Sequence, residues 1–251
     1  MDVDPETVWA ARRASFGRLA AGYEAVRPEW PTDTAGWLVG TEDGGPLAGR
    51  GRLRVLDLGA GTGKLTRTLL GAGHQVVAAD PSKGMLGVLR ASVPGVPVQR
   101  ATAEALPLQD GCLDAVTAAQ AWHWFDPETA GREIARALRP GGVLGVGWHV
   151  RDDVVAWVRE LDALVGGMPD EEESLPLPES FQPQEQAVFR YAQPLTVESL
   201  VNLAGTWTNI ALHPDREEIL VAVRRLAQRQ ADAGGELTLP HRTRCYRAVR
   251  A

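Results

Sequence analysis

The chain has 251 residues, of which 44% are hydrophobic and 23% are charged, which is the balance of a folded globular protein. Its formal net charge of −6 argues against binding nucleic acid or an anionic membrane through a bulk field, because both need concentrated positive potential. Two distant cysteines, Cys112 and Cys245, suggest neither a disulfide scaffold nor a zinc site. The N-terminus is acidic and no apolar run reaches the ~18 residues of a membrane span, so we expect a cytoplasmic protein.

The apolar spacing of the first fifty residues predicts helices ahead of the first strand. Apolar spacing indicates an amphipathic helix over residues 6–26 and a short helix over 32–40, followed by a glycine-rich link. We interpret residues 1–50 as a helical cap or lid and residues 51–251 as the main domain.

From Arg52 onwards, strands and helices alternate. Strands are predicted at 52–58, 75–79, 96–101, 112–119 and 143–148, and helices at 64–70, 82–91, between Asp126-Pro127 and Pro140-Gly141-Gly142, and from Val154 to Val165 behind an Asp152-Asp153 cap. This alternation predicts an α/β fold with a Rossmann-like, mostly parallel sheet covered by helices on both faces.

The C-terminal third begins with an acidic, proline-rich stretch at 166–186, which we interpret as a loop. It precedes a strand at 187–194, helices at 197–204 and 219–227, and a last, antiparallel strand at 237–249, for seven strands in total. The arginines of the last strand alternate with other residues and suggest one exposed face; they are Arg242, Arg244, Arg247 and Arg250.

The strongest chemical signal is the run Asp57-Leu58-Gly59-Ala60-Gly61-Thr62-Gly63. Glycines let the backbone approach a ligand closely, and the helix behind them presents unpaired N–H groups. The dinucleotide fingerprint requires GxGxxG, whereas the spacing here is GxGxG with an acid two residues ahead. Without a ligand, the same residues would form only a tight turn from strand to helix.

Two carboxylates indicate which chemical class of ligand this turn would bind. Asp57 would repel a pyrophosphate but suits a ligand with an amino group. Asp80 follows the second strand, where a carboxylate can accept hydrogen bonds from both ribose hydroxyls, although it could also cap the helix at Ser82. The ligand therefore looks like an adenosyl amino acid.

At this point residues 52–150 resemble the class I S-adenosylmethionine-dependent methyltransferases. The further matching segments are Thr102-Ala103-Glu104-Ala105-Leu106-Pro107, Leu113-Asp114-Ala115-Val116-Thr117 and Leu138-Arg139-Pro140-Gly141-Gly142. The N-terminal Phe16, Tyr23, Arg27-Pro28 and Trp30 are similar to the opening of the type 11, trans-aconitate-type carboxyl methyltransferases.

The resemblance implies S-adenosylmethionine as cofactor and a defined set of contacts with it. The implied cofactor-binding residues are Asp57, Gly59, Ala60, Gly61, Thr62, Gly63, Asp80, Pro81, Met85, Ala103, Glu104, Ala119 and Gln120. Within this set, Glu104 is expected to meet the adenine amino group.

The run Trp122-His123-Trp124-Phe125 follows the fourth strand, at the edge where ligands of open α/β sheets bind. It would either wall the acceptor pocket or form a buried aromatic plug. The residues expected at the acceptor are Tyr23, Arg27, Trp122, His123, Trp124 and Trp148. Where a general base is needed, His123 and His149 are the candidates, although a lone histidine is as often structural.

We therefore expect O- or N-methylation of a small-molecule acceptor by in-line displacement, with a carboxylate among the acceptors considered. No [DNS]PP[YFW] follows the fourth strand, which disfavours nucleic acid, and we expect a monomer or homodimer with no metal. Two alternatives stay open: an NAD(P)-dependent oxidoreductase with a degenerate fingerprint, and a non-catalytic module that binds S-adenosylmethionine for regulation.

Overall fold

The computed structural model describes residues 27–167 and 174–251. The helix predicted over 6–26, the proposed acceptor residue Tyr23 and the middle of the acidic stretch lie outside these residues. Interpreting residues 1–50 as a cap stays a prediction. The chain divides into two compact units. The sheet unit comprises residues 29–148, 174–189 and 243–251, and the helical unit comprises 27–28, 149–167 and 190–242 of the described residues.

Within the described residues, seven strands form one mixed sheet in the order β3-β2-β1-β4-β5-β7-β6. The strands are β1 (Arg54–Leu58), β2 (Gln75–Ala79), β3 (Val98–Gln99), β4 (Leu113–Ala119), β5 (Leu138–Arg151), β6 (Glu185–Thr196) and β7 (Glu236–Val249). The strands β1 to β5 pair in parallel, and the last strands are antiparallel. The predicted Rossmann-like α/β fold is therefore confirmed.

Eight helices accompany the strands in the described part of the chain. They are α1 (Thr32–Val39), α2 (Lys64–Gly71), α3 (Lys83–Ser92), α4 (Pro127–Ala137), α5 (Ala156–Val165), α6 (Val197–Gly205), α7 (Thr208–Ala211) and α8 (Arg216–Gln230). Asp126 caps α4 as predicted, because its carboxylate accepts a hydrogen bond from the Thr129 N–H at 2.8 Å.

The alternation of side chains along the strands places helices on both faces of the sheet. In β1, Val55 packs in one cluster with Leu38 of α1 and Leu69 of α2. Its neighbour Leu56 packs on the opposite side with Ile134 of α4. Since successive strand residues point to opposite faces, the apolar residues of β1 are buried whichever way they point.

The helical unit has its own apolar core, formed by α5, α6, α7 and α8 together with residues of β6 and β7. Its α6 begins with a capping box, in which Thr196 and Ser199 satisfy each other's backbone N–H groups. The side chain of Leu200, one residue later, is fully buried.

Three predicted boundaries were wrong. Strand β3 covers only Val98–Gln99 of the six residues predicted at 96–101. Strand β5 begins at Leu138 and already includes Pro140-Gly141-Gly142, which was predicted to separate a helix from the strand. The register between β4 and β5 shifts there, so the segment forms an irregular bulge inside the strand. Helix α5 begins at Ala156 without a side-chain cap, and Val154 is 69% exposed ahead of it.

The predicted exposed arginine face of the last strand is right only in part, because Arg242 and Arg244 are half-exposed whereas Arg247 is buried. Arg247 is 4% exposed, because its guanidinium pairs with Glu42 and Glu185 and lies 4.5 Å from the Trp37 ring centroid. Exposed and buried residues alternate in β7 from Glu236 to Cys245, and Arg247 is out of phase with Arg242 and Arg244 in this alternation. In the described part of the acidic stretch, Phe181 is buried in the core of the sheet unit.

None of the helices in the described ranges 27–167 and 174–251 combines the length and the apolar character needed to cross a lipid bilayer.

Candidate functional site

The strand register brings the predicted ligand residues to one edge of the sheet. Leu58 of β1 pairs with Ala79 of β2, so Gly59 and Asp80 leave their strands side by side. On the other side of β1, Asp57 pairs with Thr117 of β4. The carboxyl ends of all three strands therefore meet at this edge, where open α/β sheets bind ligands.

The glycines of the loop between β1 and α2 differ in what surrounds them. A Cβ on Gly59 would lie 2.5 Å from the Ala121 Cβ, and one on Gly63 would lie 2.9 Å from Leu89. Those two glycines allow close packing inside the protein. At Gly61, where φ is 56°, a Cβ would meet nothing within 4 Å. Gly61 is thus the glycine that leaves room for a ligand next to the backbone.

Asp80 holds this loop in place. Its Oδ2 accepts a hydrogen bond from the Gly61 N–H at 3.0 Å, and its Oδ1 accepts one from the Ser82 N–H at 2.8 Å. The Ser82 hydroxyl in turn caps α3 by accepting from the Met85 N–H at 3.3 Å. Each carboxylate oxygen retains a second lone pair for a further donor, such as a ribose hydroxyl. The capping and ligand-binding interpretations of Asp80 are therefore compatible.

Asp57 lies behind the loop and is 1% exposed. Its Oδ2 accepts a hydrogen bond from the Thr66 hydroxyl at 2.5 Å, and its Oδ1 accepts one from the Thr117 hydroxyl at 3.1 Å. Burial raises the pKa of Asp57 to about 6, although both threonine hydroxyls oppose the shift.

The two carboxylates together create a negative potential at this edge. Burial also raises the pKa of Asp80, while the hydrogen bonds from Ser82 and Gly61 act in the opposite direction. Within the described residues, neither Asp57 nor Asp80 forms an ion pair with a basic side chain. Carboxylates that are buried without a protein cation suit a ligand that carries positive charge.

The segment after β4 is held in an unusual backbone conformation. Gln120 has φ of 57°, the one non-glycine with positive φ among the described residues. Its N–H donates a hydrogen bond to the Gly147 carbonyl of β5 at 2.8 Å, which helps to hold the strained residue in place. Such conformations cost about 1–3 kcal/mol and cluster at functional sites. The next residue, Ala121, packs directly against Gly59.

A 3₁₀ turn over Trp122–Trp124 follows. The Trp122 ring is buried and meets Phe125 edge-to-face at 5.8 Å, so this part of the run is the predicted aromatic plug. His123 differs, because its imidazole is exposed on one side and accepts a hydrogen bond through Nδ1 from the Trp148 Nε1–H at 3.3 Å. The Trp124 ring lies 5.0 Å from that imidazole.

The remaining predicted cofactor residues lie on the same unit. The Glu104 Oε1 accepts a hydrogen bond from the Asp126 N–H at 3.0 Å and so ties its loop to the start of α4. The Ala60 N–H donates a hydrogen bond to the Ala79 carbonyl at 3.0 Å. Of the other positions, Thr62, Met85 and Ala103 are buried, Pro81 is exposed, and Ala119 lies at the end of β4. Their contacts with a cofactor stay predictions.

The structure places two predicted acceptor or catalytic residues, Arg27 and His149, in the helical unit. Burial, together with nearby His241 and Arg27, lowers the pKa of His149 to about 3. The His149 ring lies 6.3 Å from His241 and 6.2 Å from Tyr191. Arg27 donates a hydrogen bond to the Thr206 carbonyl at 3.3 Å. Their roles in catalysis or acceptor binding stay predictions.

Sequence reasoning missed the two threonines that hold Asp57. Thr66 lies in the first turn of α2, nine positions after the acid, and Thr117 lies across the strand pair. A hydroxyl two residues before the end of the fourth strand was the available signal, and the β1–β4 register would have revealed it. Tyr246 was also missed; it is buried and packs edge-to-face against Trp148 at 5.7 Å.

Comparison with known proteins gives related sequences along nearly the whole chain. The family model described as a methyltransferase domain matches residues 56–146. An uncharacterized methyltransferase of Mycobacterium tuberculosis is 42% identical over 243 residues, which is 94% of this chain and 96% of the relative. An uncharacterized methyltransferase of Schizosaccharomyces pombe is 31% identical over 228 residues, covering 84% of this chain and 89% of the relative.

A solved structure shares the same architecture. The chain resembles a protein from Anaeromyxobacter dehalogenans, assigned as a type II methyltransferase, with a TM-score of 0.68 and 27% identity. The superposed region covers 89% of this chain and 97% of that protein.

Proposed function

The chain belongs to the class I S-adenosylmethionine-dependent methyltransferases, and from this premise we propose that it transfers a methyl group from S-adenosylmethionine to an oxygen or nitrogen of a small-molecule acceptor. The observation that carries the proposal is the carboxyl edge of the sheet, where the open Gly61 position is hydrogen-bonded to Asp80, and where neither Asp80 nor Asp57 forms an ion pair with a basic side chain of residues 27–167 or 174–251.

The residues present fit this cofactor. Gly61 leaves open space beside the backbone, and Asp80 has lone pairs left for ribose hydroxyls. Asp57 is too buried for extensive direct contact, so its part is to supply negative charge behind the loop. When bound, S-adenosylmethionine supplies a methyl group already activated by a sulfonium sulfur.

The protein's own contribution is then to position the acceptor and to exclude water. Orientation of this kind can provide ~7–11 kcal/mol of a reaction barrier. The aromatic turn over Trp122–Trp124 follows a strand of the same edge and packs on the glycine loop through Ala121, so it is the part of the sheet unit suited to hold an acceptor. The net acidic chain favours a small molecule over nucleic acid.

A matched pair of glycine substitutions tests the cofactor site. Gly61 and Gly73 both have positive φ, at 56° and 88°, and at neither would a Cβ meet an atom within 4 Å. Both Gly61→Ala and Gly73→Ala should therefore destabilise the fold by about 1–2 kcal/mol through backbone strain alone. We expect only Gly61→Ala to weaken S-adenosylhomocysteine binding, by at least about tenfold in calorimetric titration.

Methyl transfer itself is tested with S-adenosylmethionine labelled in the methyl group and a panel of carboxylates, phenols and amines. Turnover of a panel member supports the proposal. Tight S-adenosylhomocysteine binding with a silent panel would favour a non-catalytic binding module. Absence of any binding heat from folded protein, or equal loss of affinity in both glycine variants, would overturn the proposed cofactor site.

A further inference from the structure

The hydrogen bond between Trp148 and His123 determines where the imidazole proton lies. An indole Nε1–H can only donate, so the His123 Nδ1, 3.3 Å away, must carry the lone pair. In a neutral imidazole the other nitrogen then bears the proton. His123 therefore has its N–H on Nε2.

The indole is held in this orientation by packing on its other side. Trp148 lies in β5 and its ring meets Tyr246 of β7 edge-to-face, at 5.7 Å and an interplanar angle of 85°. Tyr246 is only 3% exposed, so it leaves the indole little freedom to turn away. The donor that selects the tautomer of His123 is thus part of the packed sheet.

The same surroundings keep the imidazole neutral. Partial burial of His123 beside Trp124 and Trp148 lowers its pKa to about 4. At neutral pH the ring is therefore uncharged, and its basic nitrogen is occupied by the indole. Both features make it a poor acceptor for a proton from a substrate.

Its position is next to the proposed cofactor loop. His123 lies two residues after Ala121, which contacts Gly59, and two residues before Phe125, which approaches the same glycine. A group on this turn is near the methyl donor if the cofactor occupies the glycine loop.

We propose that His123 is a hydrogen-bond donor, through its Nε2–H, to an ionised oxygen of the methyl acceptor, rather than the general base of the reaction. The acceptor class that fits is a carboxylate, which is already ionised at neutral pH and retains a free lone pair. That lone pair forms the new carbon–oxygen bond while the carbon–sulfur bond electrons remain on sulfur. The two charges cancel and no proton has to leave. This inference rests on the proposed function.

The tautomer can be measured without any acceptor. In protein labelled with ¹⁵N-histidine, the two-bond correlations of His123, assigned by comparison with His123→Gln, should show the proton on Nε2. Trp148→Phe removes the donor but keeps an aromatic ring, and should shift the ring toward a mixture of tautomers. Trp124→Phe alters a ring contact and should leave the Nε2–H form. A proton on Nδ1 in the wild-type protein would overturn the inference.

The role in the reaction is tested by two substitutions at His123, assayed with the acceptors found in the panel. Gln keeps an N–H donor but cannot take up a proton, and Phe keeps only the ring. A donor role predicts that kcat/KM of His123→Gln falls by less than about tenfold, and that His123→Phe loses about 10–100-fold. A general base predicts a loss of about 10²–10⁴-fold in both.

The panel of methyl acceptors gives different outcomes for a failure of the donor role and a failure of the proposed function. Carboxylates should be methylated ahead of alcohols and amines, and preference for an un-ionised hydroxyl, or equal losses in the Gln and Phe variants, would overturn the donor role. Cofactor binding without turnover of any acceptor would overturn methyl transfer and the donor role together, while the nitrogen spectra would still report the tautomer.

Discussion

The β1–β4 strand pair carries an acid toward each end, and the protein surrounds the two acids with different partners. Near the carboxyl end, Asp57 accepts hydrogen bonds from two neutral threonine hydroxyls, and its pKa is raised by burial. Near the amino end, Asp114 pairs with Arg54 and Arg139. Burial alone would raise the pKa of Asp114, but the hydrogen bonds from both arginines lower it.

We interpret Asp114 as a structural acid and, under the proposed function, Asp57 as an acid whose counter-charge comes from the ligand. Asp114 is neutralised by the protein and ties together the starts of three strands, β1, β4 and β5. Asp57 is held in place by its threonines but pairs with no cation in the part of the chain that the structure describes, at an energetic cost to the folded protein. A carboxylate that lowers the stability of the folded protein, at the carboxyl edge of the sheet, is expected where a ligand supplies the positive charge.

We expect the largest change in the free energy of unfolding for the variant Asp57→Asn. The folded-state pKa is raised from 3.8 to about 6, so the ionised form destabilises the protein, and wild-type stability falls as pH rises through this window. Two pKa units correspond to about 3 kcal/mol. We expect the variant to gain up to that amount relative to wild type above about pH 7, and nothing near pH 4.

Urea unfolding at several pH values measures this difference, and calorimetry with S-adenosylhomocysteine measures the cost to binding. The variant should bind the ligand more weakly while being more stable. A stability difference that stays constant with pH would contradict the raised pKa, and unchanged affinity would contradict the role of the buried charge in binding.

The carboxyl edge could be predicted from the sequence because its signals are local. A strand, the alternating glycines and the acid two residues before Gly59 are contiguous, and the turn chemistry at Asp80-Pro81 follows one strand later. The partners Thr117 and Trp148 could not be predicted, since each depends on which strands pair and in what register. Arg247 shows the same limit: it is out of phase with the half-exposed Arg242 and Arg244, and its partners Glu42 and Glu185 come from distant parts of the chain.

At the opposite edge, Asp114→Asn should have the opposite effects to Asp57→Asn: it should lower the stability of the protein and leave its affinity for S-adenosylhomocysteine nearly unchanged. It removes the charge that two arginines bond, and hydrogen bonds to a charged group contribute about 1.5–3 kcal/mol when they are shielded from water. The Asp114 side chain is 14% exposed, so we expect a loss of about 1–2 kcal/mol near pH 7. S-adenosylhomocysteine affinity should stay within about twofold.

The pH dependence of that loss has the opposite sign from Asp57. A lowered folded-state pKa stabilises the protein above the ordinary carboxyl value of 3.8 and ceases to do so as pH falls through the folded-state pKa. The deficit of Asp114→Asn should therefore shrink in acid. A deficit that grows with acidity, measured by urea unfolding, would show that the arginines do not stabilise the charge.

The smallest expected change in stability concerns the two arginines that bond to Asp114. The Arg54 side chain is 52% exposed and its Nε lies 3.3 Å from Oδ2, whereas Arg139 is 18% exposed and donates at 2.7 Å. The Arg54 backbone N–H also donates to Oδ2 at 2.8 Å and survives substitution. Arg54→Met should therefore lower stability by less than about 0.5 kcal/mol, and Arg139→Met by more. If urea unfolding showed the reverse order, the exposed guanidinium rather than the packed one would hold this edge together.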